Sequence, residues 1–520
     1  MRHLLERFGG FIPALVALTL PATSLPTASD SYILPRASIV IAGACLGLGI
    51  ALLVPSRPGL GALRRPLVAA AVAAVLAFAF SISWPLSLVG SYTRYESLPM
   101  RLAYLGLAAS AVWLLRTDRQ RDFVGSAFVI GATFVAFKAW LQWFYHAPFR
   151  PDGDLGNANL LAALTVMAIP IAIERGRRGT YFVPFWASAI VVLLAGLIVT
   201  TSRSGALGLI AGVLVSITLS APQRFLRLAV AGSAAAVGAA ALFIVLSPLR
   251  ALNDDPPELR AHLWQDALRM IAARPLTGWG EETTGLAFGR FLSQDYAGLV
   301  TFDRVHSGVL EIAATQGVLG LAALTSVLVV LALGAWRGRA ERNVAGLAGA
   351  LAGYSVWVFF NFDWAPATGA FWLLAGTMWA GVSPPPPIGG RVGVRGLSWQ
   401  PALAAVLALA TIPLAVLPVL ADVWYLRGRA DLAVRVDPLQ AQYHWSLGQG
   451  LVARGDLAAG VTELQRAADL GETEPSLYVE LGDHLAQLGR RDEARRAYQR
   501  ALEVDPFYSP AQQRLRTLGG

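Results

Sequence analysis

The residues able to do chemistry lie in short polar motifs set between long apolar runs. The sharpest is D-R-V-H-S-G-V-L-E-I-A-A-T-Q-G-V-L-G, Asp303 to Gly320, where an Arg-His pair stands as a long polar stretch gives way to an apolar one. Upstream, G-S-Y-T-R-Y-E-S-L holds Arg94 and Glu96, G-D-L-G-N-A-N-L-L holds Asn157 and Asn159, and T-T-S-R-S-G-A-L-G holds Arg203. A longer motif, E-L-R-A-H-L-W-Q-D-A-L-R-M-I-A-A-R-P-L-T-G-W-G-E, carries Arg260, His262, Trp264, Arg269 and Arg274 into a Gly-rich turn. Guanidinium groups grip phosphate oxygens bidentately and offset charge on a pyrophosphate leaving group. A neutral histidine takes a proton from an attacking hydroxyl near pH 7. Several arginines with one histidine therefore suit a lipid-linked pyrophosphate, provided the fold brings them to one face.

Each motif also has a plainer reading. An arginine beside an apolar run can snorkel to lipid headgroups, a lone histidine is often a hydrogen-bonded structural residue, and Asn157 can cap a helix with Asn159 packed behind it. Arg269 reads as a solvated face, His262 points away from Arg260, and Arg274-Pro275 reads as a helix stop. Glu311 stands about 140° around a helix from His306, which makes it a marginal partner for orienting the imidazole. No H-x-x-x-H or E-x-x-H pairing stands among these motifs, and Cys45 is the lone cysteine. Neither a metal site, a cofactor nor a disulfide is expected.

The elements that must position these residues are membrane spans. With 520 residues, 55% hydrophobic and 14% charged, and a mean hydropathy of +0.53, the chain is far more apolar than a soluble domain. The apolar runs have the length of a bilayer-crossing helix, about 18 to 25 residues, and not the alternation of barrel strands. Spans are expected at Phe11–Leu25, Tyr32–Val54, Leu67–Val89, Leu98–Leu115, Phe123–Phe144, Asn159–Ile173, Phe182–Thr200, Gly205–Leu219, Leu226–Leu246, Ser307–Ala335, Val344–Phe360, Gly369–Val382 and Pro401–Leu420.

Alternating the loops puts the arginines at 57–65, 116–121, 175–178, 224–227, 337–342 and 391–395 on one side, which the positive-inside rule makes cytoplasmic. The other side then carries Arg94, Arg150, Arg203, the loop of about 247–305 and the C-terminal tail. The first apolar run, behind Arg2 and Arg7, is read as a span rather than a cleaved leader, because no clean A-x-A site precedes Ser31. The net charge of +9 is scattered over short loops without a basic, aromatic-laced stripe, so no nucleic-acid partner is expected.

After the last span the chain becomes charged and repeats itself at an offset of 34: Leu447-Gly448 recurs as Leu481-Gly482, and Ala467 as Ala501. That is the tetratricopeptide period, and Tyr478, Gly482, Ala494, Tyr498, Ala501 and Pro506 fit its pattern of small and large residues. A half-unit with Ala430, Ala433 and Pro438 runs directly on from the last span, so rigid attachment is expected. The expected organisation is a membrane domain over 1–423 and a repeat domain over 424–520.

In their order along the chain, these motifs resemble the O-antigen ligase and polymerase superfamily of bacterial membrane glycosyltransferases. The resemblance covers roughly Gly90 to Gly376: S-R-S-G, R-x-x-x-W…P-L-x-G-W-G, the D-R-x-H-S/N helix start, and N-F-D-W-A-P at Asn361 to Pro366. It implies an all-α, GT-C-like transmembrane bundle followed by an external α-solenoid, in the bacterial inner membrane. It implies metal-independent, inverting transfer of a glycan from undecaprenyl pyrophosphate to an acceptor hydroxyl on the periplasmic side. His306 would be the base, Arg203 and Arg260 catalytic and pyrophosphate-binding, Arg94 and Arg304 further phosphate ligands, and Asp363 and Glu311 orienting residues. Ser307 stands where Asn is commoner in the family, and many simple ligases lack the repeats.

The acceptor is left open among a lipid, a glycan and a protein, and so is the choice among ligase, polymerase and protein O-oligosaccharyltransferase. A non-catalytic docking protein that recruits partners through its repeats is the reading from a different class. A transporter would call for functional polar residues deep in the spans, where this chain has few.

Overall fold

The computed structural model describes residues 9–54, 59–146, 150–179, 183–246, 257–296, 304–383 and 399–519. Arg2, Arg7, Arg57, Asp303, Arg391 and Arg395 lie outside the described residues. No strand occurs among those described. The helices are α1 Phe11–Ala22, α2 Ile33–Leu53, α3 Arg64–Ala79, α4 Trp84–Val89, α5 Leu98–Leu114, α6 Asp118–His146, α7 Ala158–Arg177 and α8 Val183–Val199. They continue as α9 Arg203–Ser220, α10 Leu226–Leu246, α11 Pro257–Ala273, α12 Thr284–Ala287, α13 Gly308–Arg337, α14 Val344–Phe359, α15 Ala365–Val382 and α16 Gln400–Leu426. The repeat helices are α17 Ala430–Val436, α18 Ala441–Ala453, α19 Leu457–Leu470, α20 Pro475–Gln487, α21 Arg491–Val504 and α22 Ser509–Gly519. Seven helices among the described residues are long and apolar enough to cross a membrane, and α1, α5, α8 and α14 are shorter apolar ones.

Every expected span has its helix, with two departures that matter. Leu67–Val89 is not one span: α3 stops at Ala79, and α4 restarts after an extended Ser83 with Pro85 in its first turn. Proline cannot donate to a continuing helix, and the freed segment turns outward, where Ile82 N donates to Trp279 O (3.1 Å) and Ser87 Oγ to Glu281 O (2.7 Å).

The second departure is in α13, the expected Ser307–Ala335. Its backbone breaks at Gly317, with φ 66° and ψ −163°. The P-L-T-G-W-G turn fills the break: Val318 N donates to Pro275 O (2.7 Å), Trp279 N to Ala314 O (2.9 Å) and Gly280 N to Thr315 O (3.0 Å). The stretch beyond Gly317 is still long enough to span, at about 1.5 Å per residue, while Gly308–Gln316 forms a separate helical piece carrying the residues around His306. Only glycine adopts this backbone, and a Cβ here would meet Leu276 O at 2.3 Å. Gly317→Ala is expected to lower the thermal midpoint of the detergent-purified protein by several degrees, read by tryptophan fluorescence; a midpoint within 2 °C of the parent would show that the break is not required.

Close helix packing sets the site's geometry. In α9, Gly208 and Gly212 face Gly353 and Gly349 of α14 so closely that an added Cβ would meet a backbone carbonyl at 2.5–2.9 Å. Small residues four apart let the two backbones approach. Helix α9 begins, and α14 ends, at the same edge of the bundle, so the packing sets Arg203 and Ser204 beside the loop after Phe359.

The repeat array is seated on that same edge. The buried Asp422 carboxylate of α16 accepts from Asp30 N (2.7 Å), Tyr92 Oη (2.8 Å) and Tyr443 Oη (3.1 Å), joining three remote segments to the last span. Leu86 and Leu286 enter the apolar core of the repeats, and Gly289 lies against the backbone carbonyls of Glu503 and Val504.

Candidate functional site

The site is built around the N-F-D-W segment between α14 and α15. Phe360 O accepts from Arg260 Nη1 of α11 at 2.7 Å. Asn361 donates through Nδ2 to Ser204 Oγ (2.8 Å), next to Arg203, and through its carbonyl accepts Gly308 N (2.6 Å), two residues after His306. The Phe362 ring meets the His306 ring edge-on at 5.5 Å, and the Arg94 guanidinium lies 4.7 Å over Phe362 and 4.3 Å over Trp364. Asp363 pairs with Arg101 of α5 and, at 3.4 Å, with Arg304. Arg94, Arg203, Arg260, Arg304, His306 and Asp363 thus gather on one seam of the bundle.

Their surroundings divide them. Arg304 is 2% exposed and is paired with Glu282 as well as Asp363; Arg101 is 7% exposed, held by Glu281 at 3.0 Å and Glu96 at 3.6 Å besides Asp363. These two guanidiniums tie Glu96, Glu281, Glu282 and Asp363 into one buried network. Arg94, Arg203, Arg260 and His306 keep exposed surface. Glu311 does not sit idle: its carboxylate accepts Thr284 Oγ1 (2.6 Å) and Val305 N (2.9 Å), holding the backbone one residue before His306. Asn157 caps α7, and Asn159 accepts from Arg150 (3.2 Å), whose Nε donates to Thr200 O ahead of Arg203 (3.0 Å).

Helix starts converge here. Ser97, Ser202 and Ser307 cap α5, α9 and α13 with side-chain oxygens, and α15 starts directly after Trp364. Ser307 is a fully competent cap in a position where Asn would serve equally. The N-terminal ends of four helices supply a positive potential that favours an anion. Backbone strain collects at the same place: Thr93, Tyr95, Thr201, Glu282 and His306 all have left-handed φ, between 52° and 70°. Such conformations persist where surrounding contacts over-determine them.

The acid network is electrostatically uneven. Burial pushes Glu96 up to about 7; Arg101 opposes the rise and Asp363 adds to it. Burial would also raise Asp363, but Arg101 and Arg304 outweigh it and hold it below the usual carboxylate range. A raised acid contributes stability that is present below its unfolded value, near 4.5, and is lost as pH climbs through 7. Glu96→Gln keeps an acceptor for Tyr104 Oη, now 2.5 Å from Glu96 Oε1. Its thermal midpoint should match the parent near pH 4.5 and exceed it by about 2 °C or more at pH 8; a difference that does not change with pH would refute the assignment.

Sequence reasoning missed Arg101, Glu281 and Glu282. A signal existed, since Arg101 is an ionisable residue inside an apolar run and the two acids close the Gly-rich turn. Asp363 was reached only through the resemblance.

Fold and site together define a multi-pass helical membrane protein with an arginine- and histidine-bearing seam at one edge of its bundle, and helical repeats seated on that edge. Residues 188–325 match the family described as O-Antigen ligase, a stretch that contains Arg203, Arg260, Arg304, His306 and Glu311, and residues 475–508 match the Tetratricopeptide repeat family. Over those two stretches the chain is similar to an O-antigen ligase domain and to a tetratricopeptide repeat, in keeping with the motif resemblance. No curated protein gives a significant match.

Proposed function

We propose that the protein is a metal-independent, inverting glycosyltransferase that moves a glycan from undecaprenyl pyrophosphate to an acceptor hydroxyl on the periplasmic face of the inner membrane. The observation that carries this is the gathering of Arg94, Arg203, Arg260 and His306 around residues 360–364, where four helix starts meet. The acceptor oxygen attacks the anomeric carbon, the bond from that carbon to the pyrophosphate oxygen breaks, and the hydroxyl proton passes to His306 Nε2 or Nδ1. Arg203 and Arg260 hold the departing pyrophosphate with Arg94, and the helix starts add to the field. Arg304, buried between Glu282 and Asp363, takes a positioning role with Glu311. An apolar cleft of about 110 Å³ opens beside Arg101 and Asp363 and runs between α3, α13 and α15 past Leu324, Leu328 and Phe371, which suits a polyprenyl chain.

The test is reconstitution in liposomes with undecaprenyl-pyrophosphate glycan and candidate acceptors, scoring release of the lipid pyrophosphate with EDTA present. Turnover in EDTA supports the reading, and the acceptor that works names the subclass. Folded protein without turnover on any acceptor would shift the protein to the docking role, in which deletion of 436–520 removes all function.

A further inference from the structure

We propose that the cleft between the repeat array and the bundle binds an oligosaccharide segment and holds it beside the His306 site; the choice of a sugar ligand rests on the glycosyl-transfer reading above. The cleft encloses about 430 Å³, within the range of small-ligand sites. Its walls come from distant parts of the chain: Ile82, Ser83 and Leu286 on one side, and Gln465, Asp469 and Arg496 of the repeats on the other. It exists only because the array is seated, and the Asp422 node and the Gly289 contact hold it there.

The lining chemistry selects among ligands. Asp469 and Glu493 face it together with Arg496 and Arg500, so it offers no net charge to a phosphate. Amide, carboxylate and guanidinium groups present donors and acceptors around an apolar floor of Leu286, Leu481 and Ala468. A pyranose has the matching surface, with hydroxyls that both donate and accept around its rim and C–H groups on its faces. Gln465 Nε2 donates to Asp469 Oδ1 at 2.9 Å, which orients both side chains in advance.

Both membrane-side walls are wired to the site. Two residues before Leu286, Thr284 bonds Glu311, which holds Val305 next to His306. Ile82 and Ser87 flank Ser83 and bond the turn carrying Glu281, the partner of Arg101. A sugar chain resting in the cleft lies against the two turns that position the reacting groups.

The experiment uses the full-length protein in nanodiscs and lipid-free oligosaccharides of one, two and three repeat units cut from the host's surface polysaccharide. Saturation-transfer NMR and calorimetry should show binding by the parent, at least tenfold weaker in Gln465→Ala and Arg496→Ala, whose side chains are exposed and leave the thermal midpoint unchanged. In the transfer assay, a KM raised at least fivefold for a multi-unit donor but not a single-unit donor, at constant kcat, places the donor's distal sugars in the cleft. A KM raised only for a glycan acceptor places the acceptor there. Absence of oligosaccharide binding by the parent, equal binding by the variants, or binding confined to peptides would overturn the proposal. The binding arm needs no turnover, so it reports on the cleft even if the transfer reading fails.

Discussion

Replacing His306 with alanine is expected to lower the rate of undecaprenyl-pyrophosphate release in proteoliposomes by about 10²–10⁴-fold, the usual contribution of a positioned general base. The protein level and thermal midpoint should stay near those of the parent. The expectation of intact folding comes from the neighbours: two bonds that shape this loop run from Val305 N to the Glu311 carboxylate and from Leu310 N to Ser307 Oγ, and both remain when the imidazole is replaced. The residue's φ of 55° strains an alanine, so His306→Asn is the companion variant, since asparagine tolerates left-handed backbone. Both variants should lose turnover alike. If either turns over within tenfold of the parent, His306 is not the base and the transfer chemistry must be reassigned. An activity lost only in the alanine variant, with a lowered midpoint, would point to backbone strain as the cause.

Asp363→Ala should produce the largest structural effect of any single substitution in the site. It removes one carboxylate shared by two buried guanidiniums, Arg101 and Arg304. Breaking a buried ion pair by deleting one partner costs about 3–5 kcal/mol, because the remaining charge is left incompletely compensated in a low-dielectric setting. Glu281 and Glu282 stay in place, so the expected loss falls toward the lower end of that range and shows as a clear drop in thermal midpoint. Activity should fall with it, since Phe362 and Trp364 on either side carry the ring contacts to His306 and Arg94. A cycle with Arg304→Gln separates the pair from its surroundings: the two effects should be less than additive by about 1 kcal/mol or more. A midpoint within 1 °C of the parent for Asp363→Ala would show that the network is not cohesive and that Asp363 acts, if at all, directly on substrate.

Much of this site could be read before any fold was known. An arginine or histidine at the edge of an apolar run stands out against the composition, which is how Arg94, Arg203, Arg304 and His306 came forward, while Arg260 came from a motif in the long polar loop. The spans and repeats were legible for a similar reason, since burial in lipid demands long apolar helices and stacked repeats demand a fixed period. Arg101 signalled itself as an ionisable residue inside an apolar run, but its role was hidden because its partners are remote: Glu281 is 180 residues away and Asp363 is 262. The break in α13 was hidden too, since Gly317 reads as one more small residue in a span until the P-L-T-G-W-G turn is seen to complete its hydrogen bonds. Leu67–Val89 failed as a single span although Pro85 marked the restart, because the polar contacts that draw Ser81–Ser87 outward come from a turn nearly two hundred residues later.

What the amino-acid sequence alone determined is local: which stretches are helical and lipid-compatible, where the chain repeats, and which side chains carry proton-transfer or phosphate-binding chemistry. These follow from hydrophobic length, periodicity and side-chain type, properties of neighbouring residues. Only the tertiary structure decided which cations are neutralised by buried acids and which keep exposed surface, that residues 360–364 are the common anchor, and that the repeats close against the site. Those outcomes depend on pairings across hundreds of residues, set by the close packing of α9 on α14 and by the Asp422 node, and such pairings leave no trace in local composition.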